Sequence, residues 1–324
     1  TLYHFYTDTS CMKRKWIRRV GWILLTPIIL FVILMVLLYI PPVQNLLRRE
    51  VTAYASKATG MQIQVERIDL RFPLNLLVRG VEVIQQPDTL LSLESLNVRV
   101  QAWPLLKGKV EVDEVTLSQV AVNSANLIEG MQIKGVLGRF FLQSHGVDLS
   151  NETAVVNRTE LSDTHIQLLM TDTTTTPKDT TASAPVNWKV NLHQLKLKNV
   201  SFGMKLPADS MKMAAYIGEA TIDDAKADLK NQFYGLKQFL LSGASASYDT
   251  GEVQPSEGFD ASHMAVRNIR IGLDSLLYEG RNMNAVIREI TMEERSGLSI
   301  TSLTGRLFSN DSIIRIPELK LQTP

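Results

Sequence analysis

The run Val20–Ile40, VGWILLTPIILFVILMVLLYI, carries no charged residue over 21 positions. As a helix rising about 1.5 Å per residue it covers roughly 30 Å, the thickness of one hydrocarbon core. Lys13, Arg14, Lys15, Arg18 and Arg19 stand immediately before it, and Pro41 and Pro42 end it. A cleaved signal peptide has a shorter apolar region, about 7–15 residues, and a small-x-small cleavage site. Tyr39-Ile40-Pro41 offers no such site, so the run is expected to be a retained transmembrane helix. The basic residues hold residues 1–19 on the cytoplasmic side, and everything after the run is exported. Trp16, Trp22 and Tyr39 sit near its two ends as interfacial aromatics do, and Pro27 falls in the first two turns, where a kink is tolerable. Met12 opens the basic-then-apolar pattern, and residues 1–11 are read as an upstream extension or an over-long start and left out of the fold.

Charge takes on meaning once the chain is divided at this run. Setting apart those five of the 34 basic residues, and Asp8 of the 33 acidic ones, leaves 29 basic against 32 acidic, a net of −3. A faintly acidic exported region gives no footing for nucleic acid, and no nucleic-acid partner is expected. The single cysteine, Cys11, precedes the run, so the exported part contains no disulfide. Asp8-Thr9-Ser10 is not the apolar lead-in of a lipid-modified cysteine.

Beyond the run, Val43, Leu46, Leu47, Val51, Tyr54, Ala55 and Ala58 recur at helical spacing, with Gln44, Arg48, Arg49, Thr52 and Lys57 on the other side. Pro42 suits the start of this amphipathic helix and Gly60 its end, over a segment 41–60. Its apolar stripe is expected to pack on the next residues, with a helix lying on the membrane surface as the other reading.

From Met61 the period changes to two. Gln62–Glu66, Val78–Val83, Leu96–Val100, Lys109–Val112 and Lys189–Leu197 alternate apolar with polar residues, the mark of strands with one buried face. Pro73, Pro87-Asp88, Pro104, Gly108, Pro207 and Gly251 supply turns between them. Leu127–Leu142 fits a helix or bent strands equally well.

A repeat runs through these strands: apolar, two polar, apolar, polar, apolar. It is found at Val65-Ile68-Leu70, Leu93-Leu96-Val98, Val112-Val115-Leu117, Leu192-Leu195-Leu197, Val266-Ile269-Ile271, Ile287-Ile290-Met292 and Ile316-Leu319-Leu321. The change of phase inside each copy predicts a bulge or bend that curves a sheet. Residues 171–185, TDTTTTPKDTTASAP, read as a flexible loop within this β region, since the strand pattern resumes at Trp188. The strand pattern still holds at Ile314–Leu321, so the chain is expected to be a fragment of a longer protein.

No arrangement for catalysis is found. The five histidines, His4, His145, His165, His193 and His263, are scattered, and no zincin, redox, P-loop, dinucleotide or nucleophile-elbow pattern occurs. The adjacent carboxylates Asp113-Glu114, Asp223-Asp224 and Glu293-Glu294 project to opposite faces or into turns, whereas an acid/base pair must converge on one cleft. No enzyme, cofactor or metal is expected. Asn151, Asn157 and Asn199 match the glycosylation acceptor pattern, which is too short to carry an argument.

The order of features does resemble a known family. Basic start and apolar run are followed by Pro41-Pro-Val-Gln-Asn-Leu-Leu and a helix ending at Gly60. Gln62-Ile-Gln-Val-Glu-Arg-Ile-Asp-Leu, Leu76-Leu-Val-Arg-Gly-Val-Glu-Val and Asp88-Thr-Leu-Leu-Ser-Leu-Glu-Ser-Leu-Asn-Val come next. Over residues 12–120 this is similar to the AsmA-like proteins of Gram-negative envelopes, most of all their translocation-and-assembly-module branch. The Thr/Asp-rich loop departs from that pattern, and the C-terminal region that marks the branch lies outside this chain. The resemblance implies an inner-membrane anchor and, over 61–324, a mainly β fold: a long curved antiparallel sheet forming a periplasmic groove with an apolar interior. It also implies a conduit for phospholipid between the two membranes or, alternatively, a scaffold for outer-membrane protein assembly with a β-barrel partner. An anchored structural β-domain is the third reading. Alternation alone nominates Ile63, Val65, Val81, Val83, Leu96, Val98, Val110, Val112, Leu195 and Leu197 as the lining of such a groove.

Overall fold

The computed structural model describes residues 39–324, apart from 72–73, 86–87, 102–103, 105–110, 125–126, 128–129, 149–150, 171–186, 208–209, 252–253 and 255. The expected membrane helix lies outside the described residues except for Tyr39 and Ile40, and the Thr/Asp-rich loop lies outside them entirely. Among the described residues no helix is long and apolar enough to cross a membrane.

The amphipathic segment forms a helix, α1, over Pro41–Thr59. Proline at its first turn costs no hydrogen bond, and Gly60 ends it in the left-handed region at φ 70°, its N–H donating to Ser56 O at 3.0 Å. The sequence places the helix correctly but turns it the wrong way. It was expected to bury its apolar stripe, yet Leu46, Val51 and Tyr54 are 57%, 47% and 77% exposed. Its polar side faces the sheet instead. Gln44 Nε2 donates to Leu70 O at 3.2 Å, Arg48 Nη1 to Glu66 O at 2.7 Å, and Ser56 Oγ accepts from Ile63 N at 3.1 Å. The reason is that the neighbour is a strand edge, whose unpaired N–H and C=O groups need polar partners more than an apolar cover.

Among the described residues fifteen strands follow and join one sheet. They are β1 (Gln62–Arg71), β2 (Asn75–Gln85), β3 (Asp88–Val100), β4 (Val112–Asn123), β5 (Met131–Asp148), β6 (Thr153–Met170), β7 (Lys189–Leu206) and β8 (Met211–Asp228). Then come β9 (Phe233–Leu236), β10 (Gln238–Asp249), β11 (His263–Glu279), β12 (Asn282–Glu294), β13 (Ser299–Ser309), β14 (Ile314–Arg315) and β15 (Lys320–Gln322). Sequence neighbours pair in order, and β9 and β10 act as one strand between β8 and β11, interrupted at Lys237. The ambiguous stretch Leu127–Leu142 resolves as strand, falling largely in β5.

One expectation needs correcting. The sheet is mixed, not wholly antiparallel, because β6 and β7 pair in parallel from Thr153↔Lys189 to Leu169↔Lys205. A parallel neighbour requires the chain to return the whole length of an 18-residue strand, about 60 Å. A hairpin turn cannot do that, whereas the residues between Met170 and Lys189 can reach so far.

Three copies of the repeat, Val65-Ile68-Leu70, Leu93-Leu96-Val98 and Val266-Ile269-Ile271, change phase on one line of interruptions across the sheet, whereas Val112-Val115 and Leu192-Leu195 change phase further along their strands, at Asp113 and His193. On either side of Glu66, Gly80, Glu94, Gln119, Gly138, Asp163, Asn199 and Gly218 the strands pair in unchanged register, but these residues themselves are missing from the ladders. Gly243 and Asn268 continue the line through β10 and β11. Gly80, Gln119, Asp163, Asn199, Gly243 and Asn268 have φ between 50° and 61°. A left-handed residue turns the strand by half a pleat, so two polar residues in place of one separate the apolar positions. At two places on this crease the backbones come too close for a second Cβ. A Cβ on Gly80 would stand 2.7 Å from that of Glu66, and one on Gly138 2.7 Å from that of Asp163.

Burial follows the same plan. Ile68, Leu93, Ala220 and Ala244 are among the few buried apolar side chains, and all lie in the apolar phase close to the crease. Among the described residues no large side chain is fully buried. Among the described residues the single sheet has no second layer of strands to complete a core.

Candidate functional site

The apolar phase produces rows of side chains that cross the sheet from strand to strand. The longest lies just beyond the crease. It runs Ile68, Val78, Leu96, Leu117, Phe140, Leu161, Leu197, Ala220, Leu241, Ile271, Ile290, Leu303 and Leu321, each opposite the next. At a strand spacing of about 4.8 Å these thirteen positions make an apolar band roughly 58 Å long. A second row beside it runs from Leu70 and Leu76 through Val98, Val115, Leu142, Thr159, Leu195, Ile222, Phe239 and Leu273 to Ile287.

Two further rows occupy the other side of the crease. Val65, Val81, Leu93, Val120, Leu137, Thr164, Val200 and Ile217 form one. Ile63, Val83, Leu91, Val122, Gly135, Ile166, Phe202, Ala215, Ala246 and Val266 form the other. No charged residue interrupts any of these stretches. The last row meets its first charge at Glu294, opposite Val266. That carboxylate accepts from Ser296 N at 2.6 Å and Ala265 N at 3.3 Å, and hydrogen bonds from Ser296 hold it below the ordinary carboxylate range.

The alternate phase is mostly polar, with Leu77, Val136, Phe141 and Leu240 as apolar exceptions. Arg67, Arg79, Ser95, Ser118, Arg139, Ser162, Lys198, Glu219 and Ser242 stand opposite one another across β1–β8 and β10. Water solvates such a row at no cost, while the apolar rows gain about 25 cal/mol for each Å² withdrawn from water. The sheet therefore has one face that water suits and one that it does not.

The residues nominated by alternation fall into these rows. Ile63 stands opposite Val83 and Val65 opposite Val81, on one side of the crease. Leu96 and Leu197 belong to the longest row, and Val98 and Leu195 to the one beside it. Val112 stands opposite Val100. Val110 lies outside the described residues.

In β1, β2, β3 and β7 alternation found one side of the crease and missed the other, Ile68 and Val78 in the first two and Leu93 and Val200 in the last two, and it nominated nothing in β5, β6, β10 or β13. The signal was present, since Ile68, Leu117, Ile271 and Ile290 all occur in the repeat, but selecting by simple alternation stops at the change of phase. It also missed a group of methionines at the ends of the central strands. Met131 faces Met170, Met204 faces Met213, Met211 faces Leu206, and Met264 faces Tyr248. Unbranched thioether chains fill irregular space and accept partners of varied shape. Beside them β5–β8 and β10–β12 border an open concavity of about 1150 Å³. Its lining mixes Phe202, Met213 and Met264 of the apolar phase with Lys134, His165 and Arg267 of the polar one.

The polar groups nearest to chemistry are all engaged with separate partners. Asp113 accepts from Gln101 Nε2, while Glu114 lies 3.3 Å from Arg99. Asp223 accepts from Gln194 Nε2 at 3.2 Å, and Lys237 Nζ at 2.7 Å and His193 Nδ1 at 3.0 Å lower the carboxyl of Asp224. Glu293 pairs with Arg267 at 3.0 Å, away from the backbone donors that hold Glu294. Asp260 organises a loop: the N–H of Ser256, the ring of His263 and the N–H of Ser262 bring its carboxyl far below the ordinary range. Among the described residues no group of three or more His, Cys, Asp or Glu could hold a metal ion. What the arrangement offers is an extended apolar surface. Models of known protein families and the curated proteins were both compared with this chain, and neither gives a match.

Proposed function

We propose that this chain is an inner-membrane-anchored, AsmA-like envelope protein whose sheet curves into a periplasmic groove and conducts phospholipid towards the outer membrane. The observation that carries the reading is the row from Ile68 to Leu321, apolar at thirteen successive positions with no charge and no second layer of strands. An apolar face of this extent is costly in water, and patches above a few hundred Å² mark binding surfaces. Acyl chains would gain about 0.8 kcal/mol per buried CH₂ along such a face, with the headgroup left in solvent. A conduit of this kind needs uniformity along its length, not a catalytic cluster.

A photo-crosslinking amino acid at Val81, Val98 or Leu241 in living cells tests it. Phospholipid adducts at all three, and none at Ser95 or Ser118 of the polar phase, are the expected result. Equal labelling of both phases would discard the conduit.

A second reading, a scaffold that accepts strands of outer-membrane protein clients in concert with a β-barrel, draws on one separate observation. β14 and β15 cover only parts of β13, and Ile314 and Leu321 at that edge are 72% and 53% exposed. Strand addition at an open edge supplies backbone hydrogen bonds without sequence demands. An anchored structural domain draws on neither observation.

A further inference from the structure

We infer that α1 is an interfacial helix, with its Val43, Val51 and Tyr54 side seated at the headgroup boundary of a lipid bilayer while its other side holds the first strand. This rests on the reading of Val20–Ile40 as a membrane anchor. Three observations favour a bilayer as the occupant. The helix begins at Pro41, directly after the uncharged run ends, so any membrane that takes up the run lies against the first turn. The side that touches protein is already defined by Gln44, Arg48 and Ser56, spaced along one face and bonded to β1, so the apolar side is left free by construction. Arg49 and Lys57 are exposed beside the apolar arc against one exposed acid, Glu50, and a face with more cations than anions suits a surface of anionic headgroups.

Four or five apolar side chains hold a free peptide on a bilayer only weakly. A tether of no length changes that, since the helix is then always at high effective concentration over the surface. The same geometry has a consequence for the proposed conduit. β1, with Ile63, Val65 and Ile68, is the strand bonded to this helix, so the apolar rows start at the level where acyl chains end in the bilayer.

Spin labels on the full chain test the seating. With Cys11→Ser as background, single cysteines would be placed at Tyr54, Val51, Arg49, Ser118 and Leu30, and the protein reconstituted in vesicles of phosphatidylethanolamine and phosphatidylglycerol. Collision with oxygen reports lipid, and collision with a soluble nickel complex reports water. Labels at Tyr54 and Val51 are expected to favour oxygen several-fold over those at Arg49 and Ser118. Two results would overturn the inference: nickel access at both Tyr54 and Val51, which puts that side in water, or exclusion of both reagents, which puts protein over it. The label at Leu30 separates the two claims. Oxygen contact there with water at Tyr54 leaves the anchor standing and removes only the interfacial helix; water at Leu30 removes the anchor, and with it the basis of the inference.

Discussion

The two edges of the sheet are managed in opposite ways. At β1 the unpaired backbone is taken up by side chains of α1, and Ile68, the first residue of the longest apolar row, is 7% exposed. At β13 the cover is two short strands, broken where Glu318 turns to a φ of 60°, and Leu321, the last residue of the same row, is 53% exposed. The row has the same chemistry at both ends. Its two ends differ in what lies outside them, which is why strand propensity alone does not settle how a sheet terminates.

The largest expected effect comes from putting a charge at the closed end. Ile68→Asp should cost about 3–5 kcal/mol, because the carboxylate enters a site without water or a partner. Urea unfolding followed by tryptophan fluorescence measures it, and a loss below about 1 kcal/mol would mean that this end is as open as the other. Gly80→Val comes next, at about 2–4 kcal/mol, from a left-handed backbone combined with collision against Glu66. Gly280→Ala is its control on the β11–β12 turn, where φ is 58° and no atom lies within 4 Å of an added Cβ. Only the backbone penalty of about 1 kcal/mol applies there.

Arg48→Ala should remove about 1 kcal/mol and act locally. Hydrogen exchange at Val65 and Arg67 would quicken while exchange in β7 stays unchanged, and equal acceleration in both strands would show that α1 supports the whole sheet. The smallest effect is reserved for the open end. Leu321→Asp should change stability by no more than about 0.5 kcal/mol, since the side chain is already in water. A cost approaching that at Ile68 would erase the contrast between the edges.

The strands were legible because period two survives in single residues such as Gln62-Ile63-Gln64-Val65, and the crease because the slip recurs in separate copies. Two things were not. Parallel pairing of β6 with β7 is set by how the intervening chain returns, and the Thr/Asp-rich composition of 171–185 says nothing about direction. The orientation of α1 was misread because an apolar stripe was assumed to seek the sheet. A strand edge asks instead for Gln44, Arg48 and Ser56, and a polar face at helical spacing reads in the sequence as the side turned to solvent. On the site, alternation found Ile63, Val65, Val81 and Val83 on one side of the crease and Leu96, Val98, Leu195 and Leu197 on the other, but never both sides of one strand, since it has no rule for crossing it.

The crease also bears on how such a chain can change its length over evolutionary time. Strands β1–β8 each carry their own slip at the same height, as Glu66, Gly80, Glu94 and Gln119 do in β1–β4. A duplicated hairpin would bring that slip with it and dock with every apolar residue already in phase. Duplication is then nearly neutral, whereas losing one residue from a strand interior inverts half of that strand. Lineages built this way should vary by whole hairpins and hardly at all within them.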